Sequence, residues 1–396
     1  MRKWILAATG LLAAAVCLRA QVRDYEAQLK AHPEYLAGTD YLCPTGPVKL
    51  TPAPKSYKPF YISYYSRHGA RYAWQSDLYS WLNSTFSEAA ESDNLTAFGA
   101  DFKARFDRLY PEVRYRTGDL SRRGWDQQVA LAERMYQNFP KVFPDGAEVR
   151  AWTSTSTRCV MTMSAFCTGL KGSNPKLDLY ENFGKVFLPA ILPLDSSNPF
   201  KKDDFERTPV KFSETWTEYI ERTVDYKAIL GRLFKDVDKA LPKDKQWTFT
   251  SYLWFYAMGM NSLYTDLNFM DLFTEDELVK LWKIDAFQFY AEIWPTHKGY
   301  LPAVDDIIAK ADERIAEGRV GADLRFGHDV LNPDDIPVWC QTYQVPMGAN
   351  LQLVFYRSKK SPKVLFKVLL NGVEARLPLE TDQWPYYDWE AFKARF

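Results

Sequence analysis

Histidine is scarce in this chain, four residues in 396, so each one calls for an explanation. Cysteine is nearly as thin, with five, and no Cys-x-x-Cys or His-rich spacing occurs. That removes the usual zinc and iron–sulfur patterns. There is no basic tail or Lys/Arg run and the formal net charge is +0, which argues against a nucleic-acid binder. Past the first twenty residues no stretch approaches eighteen uninterrupted apolar residues, so no stable membrane insertion is expected. Internal repeats and low-complexity tracts are absent as well.

Apolar residues are plentiful: 46% of the chain is hydrophobic and 16% aromatic, enough for a large core in one or two domains. Residues 1–20 read as an export signal. Met1-Arg2-Lys3 is a basic start, Trp4 to Leu18 is apolar, and Leu18-Arg19-Ala20 offers a small residue before cleavage at Gln21. Ala14-Ala15-Val16 before Cys17 lacks the leucine of a lipoprotein signal, so simple export to the periplasm or medium is expected. Cleavage removes Arg2, Lys3 and Arg19 and leaves a mildly acidic protein with Cys43, Cys159, Cys167 and Cys340. Cys159 and Cys167 are eight apart on a predicted helix, about 12 Å of rise, too far for a bridge. Cys43–Cys340 stays open, and lone buried thiols are the plain reading.

Gln21 to Lys58 is proline-rich and is expected to wrap the surface. Phe60 to Ser66 then reads as a buried strand, being aromatic and β-branched with few charges. It empties into Arg67-His68-Gly69-Ala70-Arg71. Ser121 caps a predicted helix carrying Trp125, Val129, Ala132 and Tyr136 on one face. Glu148 to Trp152 reads as a second strand, turning at Ser154 and Thr155, the expected caps, into a helix with Val160, Met163, Cys167 and Leu170 in a stripe. Gly172 is the expected stop. From Asn174 to about Gly318 the pattern is helical and aromatic. Ala322 to Phe326, Asn350 to Arg357 and Val364 to Leu370 resume the strands, with a tight turn at Asn371-Gly372. The expected organisation is a signal at 1–20, an α/β domain in two parts at 21–173 and 319–396, and an inserted mainly helical domain at 174–318.

Three segments share one habit: a strand ends and a charged or polar residue follows at once. They are Arg67 to Arg71, Ser154 to Arg158, and His328-Asp329. In open α/β sheets ligands sit at the carboxyl ends of strands, so these segments are expected to converge in one crevice. A neutral histidine is a nucleophile and fixed guanidiniums seat a phosphoryl group. By chance alone Arg-His-Gly-x-Arg turns up in a chain of this size on the order of once in a thousand sequences. His32, beside Pro33, reads as a loop residue. His297-Lys298 reads as a solvated hinge, with a distal phosphate contact as its functional alternative.

These residues resemble the histidine acid phosphatases, the branch of the histidine phosphatase superfamily that includes phytases and multiple inositol polyphosphate phosphatases. The family signature is Arg-His-Gly-x-Arg-x-Pro, a Leu-Thr-x-x-Gly-like segment, a strand–helix turn with a third arginine, and His-Asp or His-Ala-Glu. Here these are Arg67 to Arg71, Leu120 to Gly124, Arg158 and His328-Asp329, in the same order over roughly Pro59 to Arg357. Ala73 stands in place of the family proline. Arg71-Tyr72 looks like the inositol polyphosphate phosphatases while His-Asp does not, which leaves the subfamily open.

The resemblance implies a phosphoglycerate-mutase-like α/β sandwich with an inserted helical domain. It implies a phosphomonoesterase working by double displacement, with His68 as nucleophile and Asp329 as proton donor. Arg67, Arg71, Arg158 and His328 would bind the phosphate, and no metal or other cofactor is required. The partner is a small phosphate ester, inositol polyphosphates such as phytate being one class and a broad range of monoesters the alternative. A protein that captures phosphorylated ligands without turnover is the reading from another class, and the presence of Asp329 speaks against it.

Overall fold

The computed structural model describes residues 29–192, 213–293, 301–328 and 345–395. Its centre is an eight-stranded sheet ordered β3-β2-β4-β1-β5-β6-β7, with β8 on β6. β1 (Lys58–Arg67), β2 (Glu148–Thr153), β3 (Asp178–Phe183) and β4 (Gly321–Gly327) are mutually parallel. β5 (Asn350–Ser358), β6 (Ser361–Leu370), β7 (Val373–Ala375) and β8 (Tyr387–Asp388) pair antiparallel. The α-helices of eight or more residues among the described residues are α1 (Leu78–Glu91), α2 (Ala97–Val113), α3 (Arg122–Asn138), α4 (Thr157–Ser173), α5 (Ser213–Thr223), α6 (Tyr226–Leu233), α7 (Gln246–Gly259), α8 (Glu275–Ile293) and α9 (Leu301–Glu317).

β1 shows why both faces of the sheet are covered. Ile62 and Tyr64 pack into one core with Leu131 and Met135 of α3 and Phe166 and Leu170 of α4. Tyr61 and Tyr65 pack into the opposite core with Ala303 and Ile307 of α9. The period of two puts alternate residues on opposite faces, and a doubly covered strand reads as one apolar run. The mixed α/β sandwich expected from the sequence is the observed fold. No helix among the described residues is long and apolar enough to cross a membrane.

A third core is built mainly by helices. It joins Phe86 of α1 and Phe102 and Phe106 of α2 to Leu233, Phe249, Trp254 and Leu281 further along the chain. The helical body therefore draws α1 and α2 from the stretch read as α/β. The sheet draws β3 from beyond Asn174, and α9 packs on it. β3 is an edge strand whose Tyr180 and Phe183 are exposed, so it carries no apolar alternation to read.

Other local readings need correcting. Leu36 to Asp40 and Cys43 are buried, so this part of the segment before β1 is wedged into the fold, while residues 44–58 run over its surface as expected. Cys43 donates to and its neighbour Leu42 bridges the Met347 segment, which gives the buried backbone its partners. α4 runs through Gly172 to Ser173 and begins after Ser156, not Ser154 or Thr155. Ser154 Oγ instead accepts from the Ser156 amide at 3.3 Å, a local turn that precedes the helix. Ser121 caps α3 as expected, accepting from the Gly124 amide. Asn371 and Gly372 both have positive φ, 54° and 89°, as the expected two-residue hairpin turn requires. Cys43 and Cys167 are buried free thiols. The expected signal segment with Cys17, and His297, Asp329 and Cys340, lie outside the described residues.

Candidate active site

The register of the parallel strands builds the site. Arg67 at the end of β1 lies opposite Gly327 at the end of β4, so His68 and His328 emerge side by side at the carboxyl edge. Their ring centroids are 5.7 Å apart at 74°. Arg158 reaches the same place from the first turn of α4, which follows β2.

The turn after β1 is held amide by amide. The His68 amide donates to Gly327 O and its carbonyl accepts from the Gly348 amide, both at 2.9 Å. Gly69 N donates to Thr162 Oγ1 at 3.0 Å, and Ala70 N to Gln127 Oε1 at 3.2 Å. Ala70 O accepts from the Ser121 amide at 2.9 Å and from its hydroxyl at 3.1 Å. Arg71 bridges Leu120, so the motif at Leu120 to Gly124 is the wall against which the pentad is built.

His68 is buried, and its Nδ1 lies 2.9 Å from the Gly69 carbonyl. A carbonyl can only accept, so Nδ1 carries the proton and Nε2 keeps the lone pair. Burial, then Arg67, Arg71, His328 and Arg158, hold its pKa well below the ordinary histidine value. The ring is therefore held neutral, with the Nε2 lone pair free. Arg67 is braced by the carbonyls of Thr39 and Val345. Arg71 donates to Tyr72 O at 3.0 Å, and burial brings its pKa down to about 10, with the charge of buried Asp40 acting the other way. Arg158 Nη2 is 2.9 Å from His328 Nδ1. His328 is itself brought down to about 3 by burial and by Arg158, Arg67 and Arg71. Three guanidiniums around two neutral imidazoles make a seat for a dianion.

Of the sequence candidates, Arg67, His68, Arg71, Arg158 and His328 come together, while Asp329 lies outside the described residues. His32 is far from this chemistry in character, exposed and paired with Glu34 at 3.3 Å. Four residues escaped the sequence reading: Thr162, Gln127, Asp40 and Cys159. Thr162 had a usable signal, since it stands four residues after Arg158 and hence on the same helix face. No group of three or more His, Cys, Asp or Glu among the described residues is placed to hold a metal ion.

Residues 64–300 match the family model of the histidine phosphatase superfamily (branch 2), which is more than half of the chain. The multiple inositol polyphosphate phosphatase of Bifidobacterium longum, in complex with inositol hexasulfate, superposes with a TM-score of 0.70 at 16% identity, covering 91% of this chain and 97% of that one. The phytase from D. castellii gives 0.67 at 15% identity, covering 91% and 84%. The apo phytase of Hafnia alvei gives 0.55 at 14%, covering 87% and 97%. At such identities these likenesses establish the fold. No curated protein matches the sequence. The chain belongs to the histidine phosphatase superfamily, branch 2.

Proposed function

We propose that this branch 2 histidine phosphatase hydrolyses phosphomonoesters through a phosphohistidine on His68. The observation that carries the reading is the buried, neutral His68 with its Nδ1 proton committed to Gly69 O and three arginines around it. Nε2 attacks phosphorus, the P–O bond to the alcohol breaks, and Asp329 gives that oxygen its proton. Water then attacks the phosphohistidine, returning a proton to Asp329 and releasing phosphate and free His68. Arg67, Arg71 and Arg158 neutralise the equatorial oxygens, and His328 borders the same cradle and holds Arg158. No step calls on a metal.

The substrate class we favour is inositol polyphosphates. The support is the resemblance at Arg71-Tyr72 and the fold shared with enzymes named for that activity. A broader monoester range is the second reading. It is favoured by Arg116 and Arg122, cations near the pentad wall whose charge is already met by Asp119 and Asp126. We take residues 1–20 as an export signal, to be checked by amino-terminal sequencing of the secreted protein, where an intact Met1 would refute it.

Phosphate release from phytate and from p-nitrophenyl phosphate, followed across pH in EDTA, tests the reading with His68→Ala and Asp329→Asn. Both variants should lose nearly all turnover, and wild-type activity should survive the chelator. Turnover that persists in His68→Ala sinks the mechanism. Cleavage of p-nitrophenyl phosphate with phytate untouched removes the inositol phosphate assignment and leaves the phosphatase.

A further inference from the structure

His328 has one proton to place. Its depressed pKa keeps the ring neutral, with a single N–H. Arginine offers no acceptor, so the 2.9 Å contact with Arg158 Nη2 makes Nδ1 the acceptor and puts the N–H on Nε2. That nitrogen lies 3.7 Å from Sγ of Cys159. Cys159 is fully buried, and its sulfur is also 3.5 Å from Gly327 O. The carbonyl can only accept, so the thiol hydrogen turns to it and the sulfur lone pairs face the imidazole. The same carbonyl accepts the His68 amide at 2.9 Å. One backbone oxygen thus joins the nucleophile's turn, the thiol and, through the thiol, the second imidazole.

We propose that Cys159 is a positioning residue of this active site, its thiol holding the His328 ring in the tautomer and orientation that present Nδ1 to Arg158. The chain of contacts runs Gly327 O, Cys159 Sγ, His328 Nε2, His328 Nδ1, Arg158 Nη2. Arg158 and Cys159 are consecutive at the start of α4, so one helical turn grips both edges of the ring. A planar guanidinium must be aimed to bind a phosphoryl group bidentately, and the ring supplies that aim. The thiol takes no part in bond making. Removing it leaves the buried Nε2–H without its acceptor, and the ring regains a choice of orientation. The proposal rests on the reading of Arg158 as a phosphate ligand.

The test is made on the full chain with 15N-labelled histidine, by NMR of the ring nitrogens, alongside phosphate release by wild type, Cys159→Ala, Cys159→Ser and Arg158→Ala. Wild-type His328 should show a protonated Nε2 and a bare Nδ1. Cys159→Ala should shift those signals toward a mixture and lower kcat per folded molecule by about tenfold, with His68 signals nearly unchanged. Cys159→Ser, which keeps a donor and an acceptor, should recover part of the loss. Wild-type His328 protonated on Nδ1 overturns the proposal even if Cys159→Ala fails to fold. So does Cys159→Ala with wild-type kcat and unmoved His328 signals. Full activity in Arg158→Ala refutes the phosphate-ligand reading instead, and the ring signals still report the thiol contact.

Discussion

Gly124 of α3 stands against the Ala70 carbonyl so closely that a Cβ on it would lie 2.0 Å from that oxygen and 2.8 Å from Ala70 N. Helix and the turn after β1 touch backbone to backbone, with no side chain between them. Both atoms in the way are main chain, so relief requires moving the turn itself. Ala70 is two residues from His68, and its carbonyl takes both hydrogen bonds from Ser121.

Gly124→Ala should therefore damage activity as well as stability. The overpacking costs about 1–3 kcal/mol, while a shift of the His68 turn by about an ångström costs on the order of a hundredfold in rate. Urea unfolding beside kcat/KM for p-nitrophenyl phosphate separates the two. Loss of stability with intact specific activity would show that the contact serves folding alone.

Thr162 ties α4 to the same turn from the other side. Its hydroxyl accepts from Gly69 N at 3.0 Å and donates to Arg158 O at 2.7 Å. Thr162→Val keeps the shape and strands the buried Gly69 amide, which costs about 1–3 kcal/mol. Thr162→Ser should restore most of the loss, because it returns the oxygen. Equal melting temperatures and rates in valine and serine variants would refute the tie.

The two site histidines make stability fall in acid. Both have folded pKa values below the ordinary 6.5, His68 far below and His328 at about 3. Between those values and 6.5 the unfolded chain binds protons that the folded chain does not. Stability is thus lost as pH falls below 6.5 and is fully present above it. For His328 the loss at pH 5 is about 2 kcal/mol. Chemical unfolding at pH 7 and pH 5 should show the drop, and His328→Asn should flatten the slope across that window. The carboxylates held low, such as Glu374 and Glu313, act with the same sign but nearer their own range, below that window. An unchanged slope in His328→Asn would mean the ring is charged when folded.

What the sequence made legible was whatever depends on a strand and its end. β1, the pentad, Arg158 and His328 are each read from a strand running into a turn, and parallel register aligns those ends without help from side chains. Ser121 was legible because capping is local. Cys159, Gln127 and Asp40 were not, since each acquires its neighbours only when segments far apart in sequence are packed. Gln127 shows this well: its side chain accepts from Ala70 and donates to Met347 O, residues that no spacing rule connects. β3 and the helices α1 and α2 were misplaced for a related reason. Domain membership is set by which core an apolar face enters, and Phe86 and Phe102 carry no mark of joining Phe249.

Beneath the site, at the other end of β4, Asp323 is fully buried among cations. It accepts from Arg150 Nε and Nη2 at 2.6 and 2.8 Å, from Arg314 Nη2 at 3.1 Å and from the Tyr61 hydroxyl at 2.9 Å. Burial pushes its pKa up, but the hydrogen bonds from Arg150 and Arg314 outweigh that and hold it below the usual carboxylate range. Asp323→Asn removes the charge that buried Arg314 shares with Glu148 alone besides. Leaving a buried cation undercompensated costs about 3–5 kcal/mol. The asparagine amide also turns a donor toward one guanidinium. Urea unfolding should show a loss of that size, with kcat per folded molecule unchanged, because the site stands at the Gly327 end of the strand. A stability within about 1 kcal/mol of wild type would mean that Glu148 and Glu313, not Asp323, compensate these arginines.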